Sequence, residues 1–378
     1  MSGRPEAVDG RRSPPTARGQ PGASGPASHP SSAHAGHHRA GRATIRDVAA
    51  RAGVSTATVS RVLAGIGSPK PMTAAAVKAA VDDLGYRPSG VARSLRMRRT
   101  RTFGLIVTDI QNPFFPELVQ SADLAARARG YSILLGSAAY DESRAMHYLD
   151  LMVDRRVDGL IIASSQLSEA SWGWLASSPV PLVVVNAEPA NRAVNLVTSD
   201  NVAGSRLATE HLIGLGHRKI AYIRGAESFT ADVPRLTGFR QACQAAGLAA
   251  SATPEFRGDG QFEGGEREAA ELLRQGCDVT AIACYNDVTA IGALRALRAS
   301  GRHVPADVSV VGCDDIAAAS WVAPALTTVA QQKAEMGRIA VERLISIVDD
   351  PDLAATYETV RLPMILRIRE STGPVNPS

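Results

Sequence analysis

The sequence predicts a small helix-turn-helix headpiece followed by an α/β body of two doubly wound, parallel-sheet lobes. Three observations lead there. Residues 1–102 carry 17 Lys and Arg against 5 Asp and Glu, whereas the remainder carries 24 against 32. Three short helical patterns, separated by glycine and proline breaks, occupy residues 44–85. From residue 103 onward, buried-strand patterns alternate with helical ones in two successive runs. With 378 residues, 45% hydrophobic and 21% charged, the chain has room for two or three domains of ordinary soluble composition. A basic front on an acidic body marks one part that meets a polyanion and one that does not.

Residues 1–41 are rich in Pro, Gly, Ser and Ala, hold four of the eight histidines and lack apolar periodicity, so they read as a disordered tail. The cluster His34, His37, His38 is not taken as a metal site, because a flexible tail offers no second shell of partners. Thr44 caps "IRDVAARA", with Asp47 three residues on; Ile45, Val48, Ala49 and Ala52 share a face, and Gly53 stops the helix. Ser55 caps a second helix over 56–63, with Val59, Val62 and Leu63 apolar. After the break "GSPKP", Thr73 opens a third helix striped by Val77, Val81 and Leu84 and stopped by Gly85. Such a bundle is of the helix-turn-helix type. Residues 86–102, "YRPSGVARSLRMRRTRT", are too apolar for a solvated linker and too short for a stable isolated helix. They suit a segment that orders when docked on something anionic.

In the body, "TFGLIVTDI", "SILLGS", "DGLIIAS" and "PLVVVNA" read as strands, with "FFPELVQSADLAARARGY" and "ESRAMHYLDLMVDRRV" as helices. The alternation restarts after "SDNVAG", with strands at "KIAYIRG", "AIACYNDV" and "VSVVGCDD". "GDGQFEGG" (258–265) reads as a loop, since its glycines lack dinucleotide-loop spacing.

Such sheets bind ligands beyond the carboxyl ends of their strands. The residues there form a coherent set: Asp109, Asn112, Phe114 and Phe115 in "DIQNPFF", then Arg235, Asn286, Asp287, Asp314, Asp315 and Gln331. Aromatic faces beside amides and carboxylates suit a sugar-sized ligand; taken singly, Phe114 and Phe115 also fit a helix start that fills core, and Asp287 a helix cap. No phosphate loop or nucleophile elbow occurs, and outside the tail no paired-His metal spacing, so no cofactor, metal or catalytic residue is expected. Cys243, Cys277, Cys284 and Cys313 are far apart and read as free thiols of a reducing compartment. There is no 18-residue apolar run and no apolar leader, so a cytoplasmic protein without a membrane partner is expected.

The fragments "ATIRDVAARAGVSTATVSRVLAG", "LGYRPSGVARSL", "GLGHRKIAYI", "CYNDVTAIGALRAL" and "VSVVGCDDIAAASWVAPALTTVAQ", in this order, resemble the lactose/galactose repressor (LacI/GalR) family of bacterial transcription regulators. The resemblance covers residues 43 to about 371. It implies a DNA-binding headpiece over 42–88, a hinge helix and linker over 89–102, and an effector-binding and dimerisation body over 103–371. The body divides into one lobe of about 103–199 and 332–360 and another, periplasmic-binding-protein-like with it, of about 200–331 and 361–371; residues 372–378 are a tail. It implies a homodimer on a pseudo-palindromic operator in double-stranded DNA, most simply a repressor, with an activator as the alternative. A small-molecule effector, a sugar or sugar derivative, would bind between the lobes. Thr56, Ala57, Ser60 and Arg61 fall at the family's major-groove positions, where Thr56 and Ala57 suit thymine methyls and Arg61 a guanine. Val91, Ala92, Arg93, Leu95 and Arg96 fall in the hinge, with Leu95 at the leucine that wedges into the minor groove. The matched pocket positions are Asn112, Phe114, Phe115, Arg235, Asn286, Asp314 and Gln331. Asn186-Ala187 stand where sugar-binding relatives carry Asp-Arg, which removes a charged clamp. No leucine heptad follows Thr372, which favours a dimer over a tetramer. A periplasmic sugar-binding protein would share the lobes but not the headpiece; an α/β enzyme would need a nucleophile, metal or cofactor site.

Overall fold

The computed structural model describes residues 43–65, 67–87, 99–163, 168–188 and 193–375. They fall into two compact units, a head up to Pro88 and a body from Ser89. The tail with its histidines and the whole hinge stretch 89–98 lie outside the described residues.

The head holds α1 (Ile45–Ala52), α2 (Thr56–Ala64) and α3 (Pro71–Asp83). Asp47 closes the start of α1, accepting from the Thr44 amide at 2.7 Å and its hydroxyl at 2.8 Å. Gly53 ends the helix at φ 65°, a left-handed cap that side chains resist. Val48, Val59 and Val77, one from each helix, are fully buried together. The third helix starts at Pro71 rather than at Thr73. Proline is suited to a first helical position, where its missing N–H has no partner to lose.

The body contains two six-stranded sheets. The first lobe holds β1 (Thr102–Val107), α4 (Phe114–Ala128), β2 (Ser132–Ser137), α5 (Glu142–Asp154), β3 (Gly159–Ala163), α6 (Glu169–Ser177), β4 (Leu182–Val185) and β5 (Asn195–Ser199), and is completed by the returning α11 (Lys333–Asp349) and β11 (Thr359–Leu362). The second holds α7 (Asn201–Gly214), β6 (Ile220–Ile223), α8 (Asp232–Ala245), β7 (Glu255–Phe256), α9 (Phe262–Arg274), β8 (Ala281–Cys284), α10 (Asp287–Ala299), β9 (Ser309–Asp314), β10 (Thr327–Ala330) and β12 (Ile365–Arg367). The sheet orders are β11-β5-β4-β3-β1-β2 and β12-β10-β9-β8-β6-β7. Each reverses direction next to its first strand, which opens a crevice at the strand ends. Val107, Leu118, Val183, Met336 and Val341 are among the buried residues that seal α4 and α11 onto the first sheet.

Two findings differ from the sequence expectation. The second sheet is parallel except at β12, which pairs antiparallel with β10. The chain leaves the first lobe at the C-terminal end of β11, so it meets the second sheet at the cleft and must run away from it. Phe262–Gly265, read as loop, form the first turn of α9. Their glycines serve close helix packing: a Cβ on Gly265 would clash with the backbone of Thr289 on α10, and one on Gly292 with that of Phe262.

Candidate functional site

On the head, α2 presents Thr56, Ala57 and Arg61 to solvent, with Ser60 partly covered. The i, i+4 spacing of 56 with 60 and 57 with 61 groups them on the side away from buried Val59. Ser55 Oγ accepts the Thr58 amide at 3.2 Å and fixes the start of this helix. The hinge positions Val91, Ala92, Arg93, Leu95 and Arg96 lie outside the described residues. The chain just after them is pinned to the first lobe. Arg99 donates to Asp349 at 2.7 Å, and the amides of Thr100 and Arg101 donate to the Asp158 carboxylate at 2.7 and 2.9 Å.

In the body, the seven pocket positions named from the sequence line one cleft between the lobes, together with Thr108, Tyr140, Asn186, Phe229 and Tyr285. Phe114 and Phe115 open α4 and are also core: both are buried, with rings edge to face at 5.2 Å. Asn112 Oδ1 accepts the Phe114 amide at 3.0 Å, which sets that helix start. Tyr140 of the first lobe stacks on Phe229 of the second at 5.9 Å, and Phe229 packs against Tyr285 at 5.7 Å.

Arg235 is the buried cation of the site. Its Nε donates to Asn201 Oδ1 at 2.9 Å, Nη1 to the Tyr285 carbonyl at 2.6 Å and Nη2 to Asp314 Oδ1 at 3.3 Å; its Cζ lies over the Tyr285 ring, 4.6 Å from the ring centre. Gln331 Nε2 donates to the same Asp314 oxygen at 2.6 Å, while its own oxygen accepts from Ser199 at 2.8 Å. Asn286 spans Gly260 O at 2.9 Å and the Thr289 amide at 2.8 Å. Burial pushes the Asp314 carboxyl above the ordinary range, and Arg235 and the Gln331 hydrogen bond pull it back. Asn186, at φ 55°, has a buried Oδ1 with no hydrogen-bond partner among the described residues.

Three carboxylates of the strand-end set do not join the pocket lining. Asp109 accepts the Gln111 amide at 3.0 Å in a local turn. Asp315 turns away to Arg369 at 2.6 Å. Asp287 is buried behind the site, where it accepts the Ile316 amide at 2.9 Å and the Thr328 hydroxyl, and burial raises its pKa. Free space among the lining groups is about 30 Å³, room for a water-sized guest. A larger hollow of about 460 Å³ lies in the first lobe beside Trp172, Leu175 and Tyr357, but it has no comparable set of converging polar groups.

Residues 44–89 match the family described as bacterial regulatory proteins, lacI family, and residues 209–372 match the periplasmic binding protein-like domain. The ribose operon repressor of Escherichia coli K12 is 37% identical over 312 residues, covering 82% of this chain and 94% of the relative. The chain belongs to the LacI family of bacterial regulatory proteins. Among solved structures, the regulator resembles the Lac repressor dimer bound to operator and an anti-inducer, with a TM-score of 0.80 and 29% identity over 88% of this chain and 99% of that one. It also resembles a LacI family regulator from Enterococcus faecium with bound ribose, with a TM-score of 0.66 and 29% identity over 73% of this chain and all of that one (100%).

Sequence reasoning missed five lining residues. Tyr285 follows a strand directly and is open to the same argument that finds Asn286. Asn186 follows β4 directly and also stands out in the sequence as a departure from the sugar-binding relatives. Thr108 likewise follows β1 directly, whereas Tyr140 and Phe229 lie in loops, where no periodicity points at a cleft.

Proposed function

We propose that this regulator is a homodimeric, non-enzymatic repressor that acts in the cytoplasm on a pseudo-palindromic operator and is controlled by an uncharged, hydroxyl-rich molecule held between its lobes. Thr56, Ala57, Ser60 and Arg61 on α2 read base edges in the major groove, and phosphate contacts supply salt-sensitive affinity. The two hinges, around residues 89–97, enter the minor groove, where Leu95 and its mate wedge the central step and Arg93 and Arg96 hold the flanks. The homodimer covers the exposed Ile110, Leu124 and Leu135 of the first lobe.

The observation that carries the effector reading is the convergence of the strand-end residues of both lobes on one cleft. Its two charged groups, Arg235 and Asp314, neutralise each other, and Arg235 already donates to three acceptors. With three of its five N–H groups engaged and its charge offset by Asp314, Arg235 offers little net attraction to a phosphate or carboxylate. The remaining needs are those of acceptors, above all Asn186 Oδ1, and a ligand hydroxyl answers them. A cleft with room for a water admits a sugar only when the lobes part, so occupancy changes the lobe angle. The chain just after the hinge is anchored to the first lobe, Arg99 through Asp349 and Thr100 through Asp158, and a changed lobe angle in a dimer changes hinge spacing.

The test has two stages. Selection from random duplex DNA by the full chain should return a pseudo-palindrome. A panel of pentoses, hexoses and polyols is then added to that complex in gel shifts. Asp314→Ala should keep operator binding and lose the sugar response. An undiminished response in that variant would sink the pocket assignment.

A further inference from the structure

Lys333 opens α11 immediately after the chain crosses back from the second lobe, and it is 3% exposed. A buried ammonium survives only with partners. Its Nζ donates to the carbonyls of Asp314 at 2.7 Å and Asp315 at 2.9 Å, and lies 3.3 Å from Glu117 Oε2. The carbonyls belong to the second lobe, and Glu117 to α4 of the first.

The two carbonyls sit on an unusual piece of backbone. Asp314 has φ 125° and Asp315 φ 54°, conformations that residues other than glycine hold only under constraint. The Asp315 amide reaches Thr328 Oγ1 at 3.4 Å, the Ile316 amide reaches Asp287 at 2.9 Å, and the Asp315 side chain accepts from Arg369. These restraints come from within the second lobe; Lys333 reaches in from the first. Glu117 stands three residues beyond Phe114, with its side chain about half exposed. It shares a surface hollow with Ile110, Leu135 and Ala317, which follows the constrained turn.

We propose that Lys333 is a positioning residue that ties the Asp314–Asp315 turn to Glu117, so that the turn carrying the pocket carboxylate and the outer face of α4 move together. The pin holds Asp314 aimed into the cleft and carries its displacement to the face bearing Ile110 and Leu135. That second half rests on the effector reading of the cleft; the pin itself does not, and it is tested without ligand.

The measurement is amide hydrogen exchange of the ligand-free full chain, read on peptides spanning 310–320 and, as control, 220–223. Glu117→Gln keeps the shape of a half-exposed side chain and removes its charge. Exchange at Asp315 and Ile316, in the other lobe, should rise roughly threefold while the control stays fixed. Lys333→Met should raise it further, and Lys333→Arg should return it towards wild type. Unchanged exchange at 310–320 in Glu117→Gln would overturn the proposal, as would an equal rise in the control peptide. Should Lys333→Met not fold, Glu117→Gln decides alone. Absence of any sugar response in the wild-type chain, with the pin intact in this assay, would strike the effector reading and leave the pin standing.

Discussion

Replacing Arg235 by Met tests the electrostatics of the cleft most directly. Arg235 is 3% and Asp314 4% exposed, and they meet at 3.3 Å. Removing the guanidinium leaves the carboxylate with Gln331 as its side-chain donor. Breaking a buried pair in this way costs about 3–5 kcal/mol. Asp314→Asn is milder, because Arg235 keeps Asn201, the Tyr285 carbonyl and the Tyr285 ring; about 1–3 kcal/mol is expected. The double variant leaves neither charge buried, so its cost should fall short of the sum of the singles by about 0.5–3 kcal/mol. The pH dependence has a definite sign. Without Arg235, burial raises the folded pKa of Asp314 above its unfolded value, so the folded chain prefers the protonated form. Stability is then highest at low pH and is lost as pH rises, by at most about 1.4 kcal/mol per unit. The cost of Arg235→Met relative to wild type should therefore grow as pH rises above the ordinary carboxylate range. Urea unfolding followed by far-ultraviolet circular dichroism measures all four proteins. Additivity within about 0.5 kcal/mol, or a cost independent of pH, would refute the coupling argued from the geometry.

Arg61→Ala should relax base preference at one half-site position by about 1–3 kcal/mol; an equal loss on every sequence in a binding-site library would mark a phosphate contact instead. Leu95→Ala should weaken operator binding and reduce bending in circular-permutation gel shifts, and an unaltered bend would remove the wedge. His217, buried between Thr280, Ser309 and the Gly373 carbonyl, has its pKa lowered by burial below 6.5. Its contribution to stability is complete above about pH 6.5 and is lost as pH falls below it, because the unfolded chain takes up the proton first. Scanning calorimetry should show the wild type losing more between pH 7 and 5 than His217→Gln; parallel slopes would contradict this.

The architecture and the chemistry available to it were legible in the amino-acid order. Apolar periodicity, capping residues and the charge step at residue 102 laid out a three-helix head and two runs of strand and helix, because those patterns report local geometry. The strand-end rule also located Asn112, Phe114, Phe115, Asn286 and Asp314 beyond β1, β8 and β9, since parallel sheets present strand ends at one edge; Arg235, inside α8, and Gln331, after β10, rest on the family resemblance. Short polar strands such as Asn195–Ser199 and Thr327–Ala330 escaped the rule, because their Asn, Ser and Thr residues carry a turn-like composition while their backbones lie buried in a sheet. Which carboxylates face the cleft was settled only by the folded chain. Asp314 and Asp315 are adjacent and alike in sequence, yet a left-handed turn sends one to Arg235 and the other to Arg369. Folding also buries Lys333, outwardly an ordinary charge at a helix start, between the lobes. Direction and burial depend on which distant segments meet, and a local pattern does not encode that meeting.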